Sequence, residues 1–245
     1  MKLIKISLFL HMISLSLSQV NTEAMRNSSQ IPGLQQRVNI SFSYISGSSE
    51  FLMLHGNYRA DYHANDKWHG FFVINHDRAH EKSNEDFNNR GFAHLRALNH
   101  WKPKIHLESF LQKEYNYFID LENRELMGGG LRINPINELH VGMGLMNEVE
   151  VYQYSSMEHV NLKSTNYINH AFKPNEFITI QNIIYYQFKS TNLQHYRVLW
   201  DGDINIEASG KISFHVNLKF RYDMSEINPE GDSYFEITNG LGFYF

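Results

Sequence analysis

Apolar and polar residues alternate with a period of two along much of this chain. The clearest case is the stretch 211–223. Its apolar residues all fall on one face: Ile212, Phe214, Val216, Leu218, Phe220 and Tyr222. The intervening positions are all polar or charged. Because successive side chains of a strand point to opposite faces, the stretch is predicted to be a strand with one apolar and one polar face.

Similar segments recur from residue 36 to residue 245. Their predicted bounds are 36–46, 50–60, 67–79, 89–99, 104–116, 123–134, 137–152, 163–172, 176–189, 194–207, 211–223 and 234–245. Most are longer than the roughly 5–6 residues of an ordinary strand. They match the roughly 9–11 residues that a tilted strand needs to cross a membrane. We therefore predict an all-β protein, a single antiparallel transmembrane β-barrel of about 12 strands, an even number as expected for bacterial barrels.

The connections between these segments fall into two sets. With the C-terminus on the periplasmic side, the periplasmic turns are 61–66, 99–103, 134–137, 172–175 and 207–210. The opposite connections are 47–49, 80–88, 117–122, 154–162, 190–193 and 224–232, and most of them are longer and more polar. Short periplasmic turns and longer outer loops are typical of outer-membrane barrels.

The N-terminal residues resemble an export signal. Lys2 and Lys5 precede an apolar stretch at 6–17, and Ser16-Leu17-Ser18 offers a small-x-small cleavage site. A membrane anchor is the alternative, but the stretch is shorter than the roughly 18–20 residues of a helical span. We expect a signal peptide at 1–18, an N-terminal periplasmic extension at 19–35 and the outer-membrane barrel at 36–245.

Composition removes several kinds of chemistry. The chain has no cysteine, which excludes disulfides, thiolate zinc sites, iron–sulfur clusters and a cysteine nucleophile. Its formal net charge of -4 gives no sign of a nucleic-acid surface. No cofactor and no nucleic-acid partner are expected, and the oligomeric state stays open. The expected partners are outer-membrane lipid and, during biogenesis, the barrel-assembly machinery.

Four stretches occur in a distinctive order and spacing: LHGNYRADYHANDKWHGFFVINHDRAHEKSNEDFNNRGFAHLRAL, LESFLQKEYNYFIDLENRELMGGGLRI, ELHVGMGLMNEVEVY and the ending GLGFYF. In these stretches the chain resembles the DUF481 family of outer-membrane proteins over about residues 41–245. The resemblance implies a membrane barrel with a C-terminal aromatic residue, and it implies no activity. The terminal pattern of Leu241, Phe243 and Phe245 resembles the signal that the barrel-assembly machinery reads.

The polar faces of the predicted strands define a candidate interior network. Its members are Arg59, Arg90, His94, Arg96, His106, Glu108, Glu114, Arg124, Arg132, Glu148, Arg197, Asp201, Lys219 and Arg221. Buried charges are costly unless they are paired. Two interpretations stay open: ion pairs fill a closed structural barrel, or separated charges line a narrow channel for small polar solutes. Glycines at 128–130, 142, 144, 240 and 242 fit tight curvature or close contacts in a small barrel.

Catalytic and metal sites are weakly indicated. The metal candidates are His76, Asp77 and His80 near the outer rim, and His94, His106 and Glu108 inside, but no HExxH pattern occurs and no metal is expected. Ser109 and His106 are predicted to lie on opposite faces, which disfavours a lipase-like site. A peptide or lipid hydrolase with rim residues Asp77, His80, Glu85, Asp86, Glu148 and Glu150 is the alternative to a non-enzymatic barrel. A soluble periplasmic β-protein is a third possibility.

Overall fold

The computed structural model describes residues 23, 32–46, 50–81, 86–209, 212–225 and 230–243. Twelve strands follow one another: β1 (Gly33–Ser46), β2 (Glu50–Asn65), β3 (Trp68–Glu81), β4 (Asp86–Lys102), β5 (Ile105–Asn116), β6 (Leu121–Ile136), β7 (Leu139–Tyr152), β8 (Ser155–Asn175), β9 (Ile178–Lys189), β10 (Asn192–Ser209), β11 (Ile212–Met224) and β12 (Asp232–Phe243). A single 3-10 turn, Tyr117–Ile119, stands between β5 and β6, and the described residues form no α-helix. The prediction of an all-β chain with about 12 strands is confirmed.

All twelve strands belong to one antiparallel sheet in chain order, β1 to β12. No ladder between β1 and β12 occurs in the described part of the chain. Contacts across the concave face show how strongly the sheet curves. Arg197 of β10 reaches Glu148 of β7 at 2.8 Å, and Tyr167 of β8 reaches Glu108 of β5 at 3.2 Å. The sheet therefore curves so strongly that side chains from strands three positions apart in its order meet in one interior.

The connections differ between the two ends of the sheet. At one end, here called the turn end, two residues separate each pair of strands: 66–67, 103–104, 137–138, 176–177 and 210–211. Asn65 and Asn175 organise two of these turns, since each side-chain oxygen accepts bonds from two backbone amides. At the opposite loop end the connections are 47–49, 82–85, 117–120, 153–154, 190–191 and 225–231. The predicted asymmetry is present, although it is smaller than expected.

The start of β8 makes the largest single contribution to that difference. This strand begins at Ser155, whereas the sequence pattern predicted a strand at 163–172 and a long outer connection at 154–162. The prediction was wrong there because the added residues are held by pairing with β7, as in Glu150 with His159. Such pairing depends on a neighbouring strand and leaves little trace in the local pattern.

Strands in the middle of the sheet bury most of their charged side chains on one face and expose apolar side chains on the other, although some apolar residues such as Ile183 and Leu199 are also buried. In β5, His106, Glu108 and Glu114 are buried, whereas Leu107 and Leu111 are exposed. This arrangement is the reverse of a water-soluble sheet, whose apolar face is covered. No helix in the described part of the chain is long and apolar enough to cross a membrane.

Candidate functional site: the polar interior

Alternation along the strands brings most of the predicted interior residues together. Those that the structure buries are His94, Arg96, His106, Glu108, Glu114, Arg124, Arg132, Glu148, Arg197, Asp201 and Arg221. Arg221 Nη1 lies 2.6 Å from Asp201 Oδ1, so the last two form a pair of their own. The three others are more exposed and have separate carboxylate partners: Arg59 with Asp61, Arg90 with Asp77, and Lys219 with Glu236.

The residues of the predicted assembly signal lie on and beyond β12. Leu241 is exposed and is paired with Phe214 of β11. Phe243 is the last residue of β12, where its backbone is paired with Ile212. Phe245 lies outside the described residues.

Nearer the loop end, seven charged residues form what we call the loop-end network: Glu114, Arg124, Glu148, Glu150, Lys163, Arg197 and Asp223. Arg197 pairs with three of its carboxylates. Its guanidinium lies 2.8 Å from Glu148, 3.0 Å from Glu150 and 2.6 Å from Asp223. Planar guanidinium groups suit such multiple contacts because their donors diverge in a fixed fork.

Arg124 extends this network across β5, β6 and β7. It donates to Glu150 at 2.6 Å and also bonds Glu114. Lys163 of β8 is paired with Glu148. Three cations thus face four carboxylates, and the side chains of Arg124 and Glu148 are almost completely buried. The burial of these charges is offset by their mutual pairing.

Nearer the turn end, a second group surrounds a residue from outside the sheet. This Glu23 cluster consists of Glu23, Arg96, Glu108, Arg132, Tyr167 and Tyr185. Arg96 Nη1 lies 2.9 Å from Glu23 Oε1 and 3.1 Å from Glu108 Oε2. Arg132 binds the other carboxylate oxygen of Glu23, and the Glu23 backbone amide donates to the Tyr185 hydroxyl at 3.1 Å.

Tyr167 contacts one arginine and one glutamate of the cluster. Its hydroxyl donates to Glu108 and accepts from Arg132, at 3.2 Å each. The Arg132 guanidinium also lies 5.8 Å from the centre of the Tyr167 ring, within the range of a cation–π contact. The two arginines and two glutamates of the cluster have balanced charges.

Cavities show how these two groups divide the interior. A cavity of about 880 Å³ extends from Trp101, Lys102 and Pro103 at the turn end to Glu23 and Arg132. Beyond the Glu23 cluster, the next cavity is only about 50 Å³, and the one beside the loop-end network is about 20 Å³. The described interior is therefore wide at the turn end, and little space is left beside the side chains of the two charged groups.

Five histidines line the wide cavity, and four of them form two pairs. His63 and His69 stack with ring centres 3.9 Å apart, and His100 Nδ1 lies 2.7 Å from His106 Nδ1. Within the described ranges no group of three histidine or acidic side chains is placed to hold a metal ion. The first pair is joined by ring stacking and the second by a hydrogen bond, and both belong to the polar wall of this cavity.

The proposed rim residues of a hydrolase do not gather into one site. Asp77 contacts His55 and Arg90, whereas Glu148 and Glu150 belong to the loop-end network. His76 bonds the Tyr115 hydroxyl at 2.8 Å. The backbones of His80 and Asp86 are paired in the ladder between β3 and β4, and Glu85 lies outside the described residues. Ser109 is exposed and His106 buried, which agrees with their predicted opposite faces.

Of the residues in these two groups, five escaped the sequence reasoning: Glu23, Lys163, Tyr167, Tyr185 and Asp223. Lys163 and Tyr167 alternate with Thr165 on the buried side of β8, so the period of two could have found them. Asp223 ends the alternating stretch of β11, but nothing in the sequence indicated that it meets Arg197. Glu23 precedes the first strand, and no periodic pattern surrounds it.

Comparison with solved structures finds membrane barrels at low identity. The NanC porin is 9% identical, with 86% of this chain and 99% of that chain covered and a TM-score of 0.45. The KdgM porin in complex with disordered oligogalacturonate is 10% identical, with 84% and 98% covered and a TM-score of 0.40. The translocator domain of autotransporter NalP from Neisseria meningitidis is 10% identical, with 86% and 87% covered and a TM-score of 0.44.

No family model matches the chain. No curated protein matches it either.

Proposed function

We propose that this chain is a bacterial outer-membrane β-barrel, exported by a cleaved signal peptide, whose interior is closed by ion pairs. It serves as a structural barrel or as a narrow channel that admits small polar solutes only when these pairs rearrange. Its resemblance to the DUF481 family supports the same location. Outer-membrane lipid and the barrel-assembly machinery are its proposed partners.

The exposed face of the sheet supports a lipid environment. Leu95, Leu111 and Met127 stand side by side on β4, β5 and β6, and all three are exposed. Near the turn end the exposed aromatic residues include Tyr62, Trp68, Trp101 and Phe177. An apolar outer band with aromatic residues at its border is typical of membrane barrels.

The proposal that the interior is closed rests chiefly on one observation, the loop-end network. Arg197 and Arg124 each bind carboxylates from other strands, and little space remains beside them. A permanent water-filled channel would need these charges to stand apart along its walls. The geometry therefore favours a barrel that is closed in the described state.

Conductance of the refolded protein in planar bilayers tests this proposal. We expect no steady open conductance from the wild type. The double substitution Arg197→Ser and Glu148→Ser removes one cation and one anion, so the net charge is unchanged. Because the shorter side chains widen the loop-end constriction, the conductance should rise.

The matched control is Lys113→Ser with Glu125→Ser, which removes an exposed ion pair of 2.7 Å. It should leave the conductance unchanged. A large steady conductance of the wild type that the interior double variant does not alter would contradict the proposal. Release of the protein from membranes by carbonate, without detergent, would contradict the membrane location.

A further inference from the structure

We propose that Arg96 and Arg132 form a carboxylate-binding site inside the barrel, which Glu23 fills and for which small soluble monocarboxylates compete. The inference rests on the proposed barrel function, since the site lies in the barrel's interior. It adds a ligand class and a location to that function.

The contacts at Glu23 are those of a bound carboxylate. Its two oxygens go to different arginines, Oε1 to Arg96 at 2.9 Å and Oε2 to Arg132. The Glu23 side chain is fully buried, and both arginine side chains are almost so. Charge-assisted hydrogen bonds are stronger than neutral ones, and exclusion of water increases their strength.

Both arginines are also held by strand residues other than Glu23. Arg96 lies on β4, packs over the Phe110 ring at 5.4 Å and donates to His94. Arg132 lies on β6 and is held by the ring and hydroxyl of Tyr167. Side chains fixed in this way lose little freedom when a ligand binds, which favours affinity.

The charge balance defines the ligand class. Within the described part of the chain, Glu23 and Glu108 are the carboxylates paired with Arg96 and Arg132. Removing the Glu23 carboxylate takes away one of these two negative charges and leaves the two buried arginines undercompensated. An uncompensated buried charge is strongly unfavourable. One carboxylate from any source restores the balance, whereas a dianion would overcompensate beside Glu108. The site therefore selects monocarboxylates.

The wide cavity supplies a route to the site. Its lining includes Glu23 and Arg132 at one extreme and the turn residues Lys102 and Pro103 at the other. Its volume of about 880 Å³ is within the usual range for small-molecule pockets. A solute that enters from the turn end can thus reach Arg132 without crossing the loop-end network.

The test measures binding of propionate, which reproduces the Glu side chain beyond Cα, to the full chain refolded in detergent. Saturation-transfer NMR gives the apparent Kd for the wild type and for Glu23→Gln. Because an occupant lowers the apparent affinity of a competitor, we expect the substitution to tighten propionate binding by about tenfold or more. Adding Arg132→Gln to this variant should abolish binding.

Two controls test whether binding requires the carboxylate charge of the ligand and the loss of the Glu23 carboxylate in particular. Propionamide, which has the same shape without the charge, should not bind. Glu125→Gln removes a carboxylate from an exposed pair with Lys113 and should bind propionate as the wild type does. If Glu23→Gln does not fold, Glu23→Asp takes its place, since the shortened side chain retreats from the arginines and should also tighten binding.

Equal propionate affinity in the wild type and in the folded Glu23 variant would overturn the inference, and so would equal binding of propionamide. These results would leave the barrel proposal intact, because they do not involve conductance or membrane location. Conversely, binding as expected by a protein that carbonate releases from membranes would uphold the site and contradict the proposed location.

Discussion

At the residue scale, Arg197 is the side chain on which the loop-end network most depends. It binds carboxylates on β7 and β11. Glu148 also pairs with Lys163 and Glu150 with Arg124, so without Arg197 two cations would remain to neutralise the four carboxylates of the network. Loss of one partner from a buried ion pair leaves an uncompensated charge, which costs far more than the pair itself contributes.

We therefore expect Arg197→Gln to lower the free energy of unfolding by about 3–5 kcal/mol. Urea unfolding of the refolded protein, followed by tryptophan fluorescence, measures the change. The matched control is Lys113→Gln, whose ion pair with Glu125 is 67% and 52% exposed, and which should cost at most about 1 kcal/mol. Equal losses in the two variants would contradict the role given to Arg197.

The sequence predicted which residues face the interior far better than it predicted their partners. Orientation follows from the period of two, so Glu108, Arg124 and Arg132 were found directly. Partners depend on how the strands are staggered around the barrel, and this brings Arg197 to Glu148 across two intervening strands. Glu23 could not be found at all, because an isolated charged residue before the first strand has no pattern to reveal it.

At the element scale, β6 and β7 approach each other unusually closely. A Cβ atom at Gly130 would overlap the backbone oxygen of Met143, and one at Gly142 would overlap the Tyr167 ring. The predicted close contacts at these glycines are confirmed, whereas Gly240 has open space around it. Since Tyr167 holds Arg132, the room left by Gly142 also positions the Glu23 cluster.

Replacing Gly130 by Ala should therefore destabilise the barrel by about 1–3 kcal/mol, as overpacking generally does. Gly56→Ala is the matched control, because a Cβ there would meet nothing within 4 Å. That change should stay within about 0.5 kcal/mol. Thermal loss of the compact form in unheated gel electrophoresis compares the two, and an unaffected Gly130 variant would show that the strands can separate without cost.

At the scale of the whole molecule, the sidedness of the sheet is the main determinant of where the protein can reside. Leu111 points outward between Leu95 and Met127, in the middle of β5 and away from both ends of the sheet. In water this row would be an apolar patch, and in lipid it is the ordinary surface of a barrel.

Leu111→Arg distinguishes the two environments. In a bilayer the substitution should cost about 2–4 kcal/mol, whereas on a water-exposed surface it would cost almost nothing. Leu193, exposed near the loop end of β10, provides the control, because Leu193→Arg near an interface should cost at most about 1 kcal/mol. Unfolding in lipid vesicles measures both, and a neutral Leu111 variant would count against lipid contact.

Each strand pairs with its neighbours in the sequence, and this order affects the sequence of steps in which the protein folds. Each ladder joins consecutive strands, so hairpins can form one after another with short loops to close. The arginine–carboxylate contacts between β7 and β10, by contrast, need strands that meet only when the sheet has curved. Until then their charges stay hydrated, so the last step of assembly releases water and gains the ion pairs together.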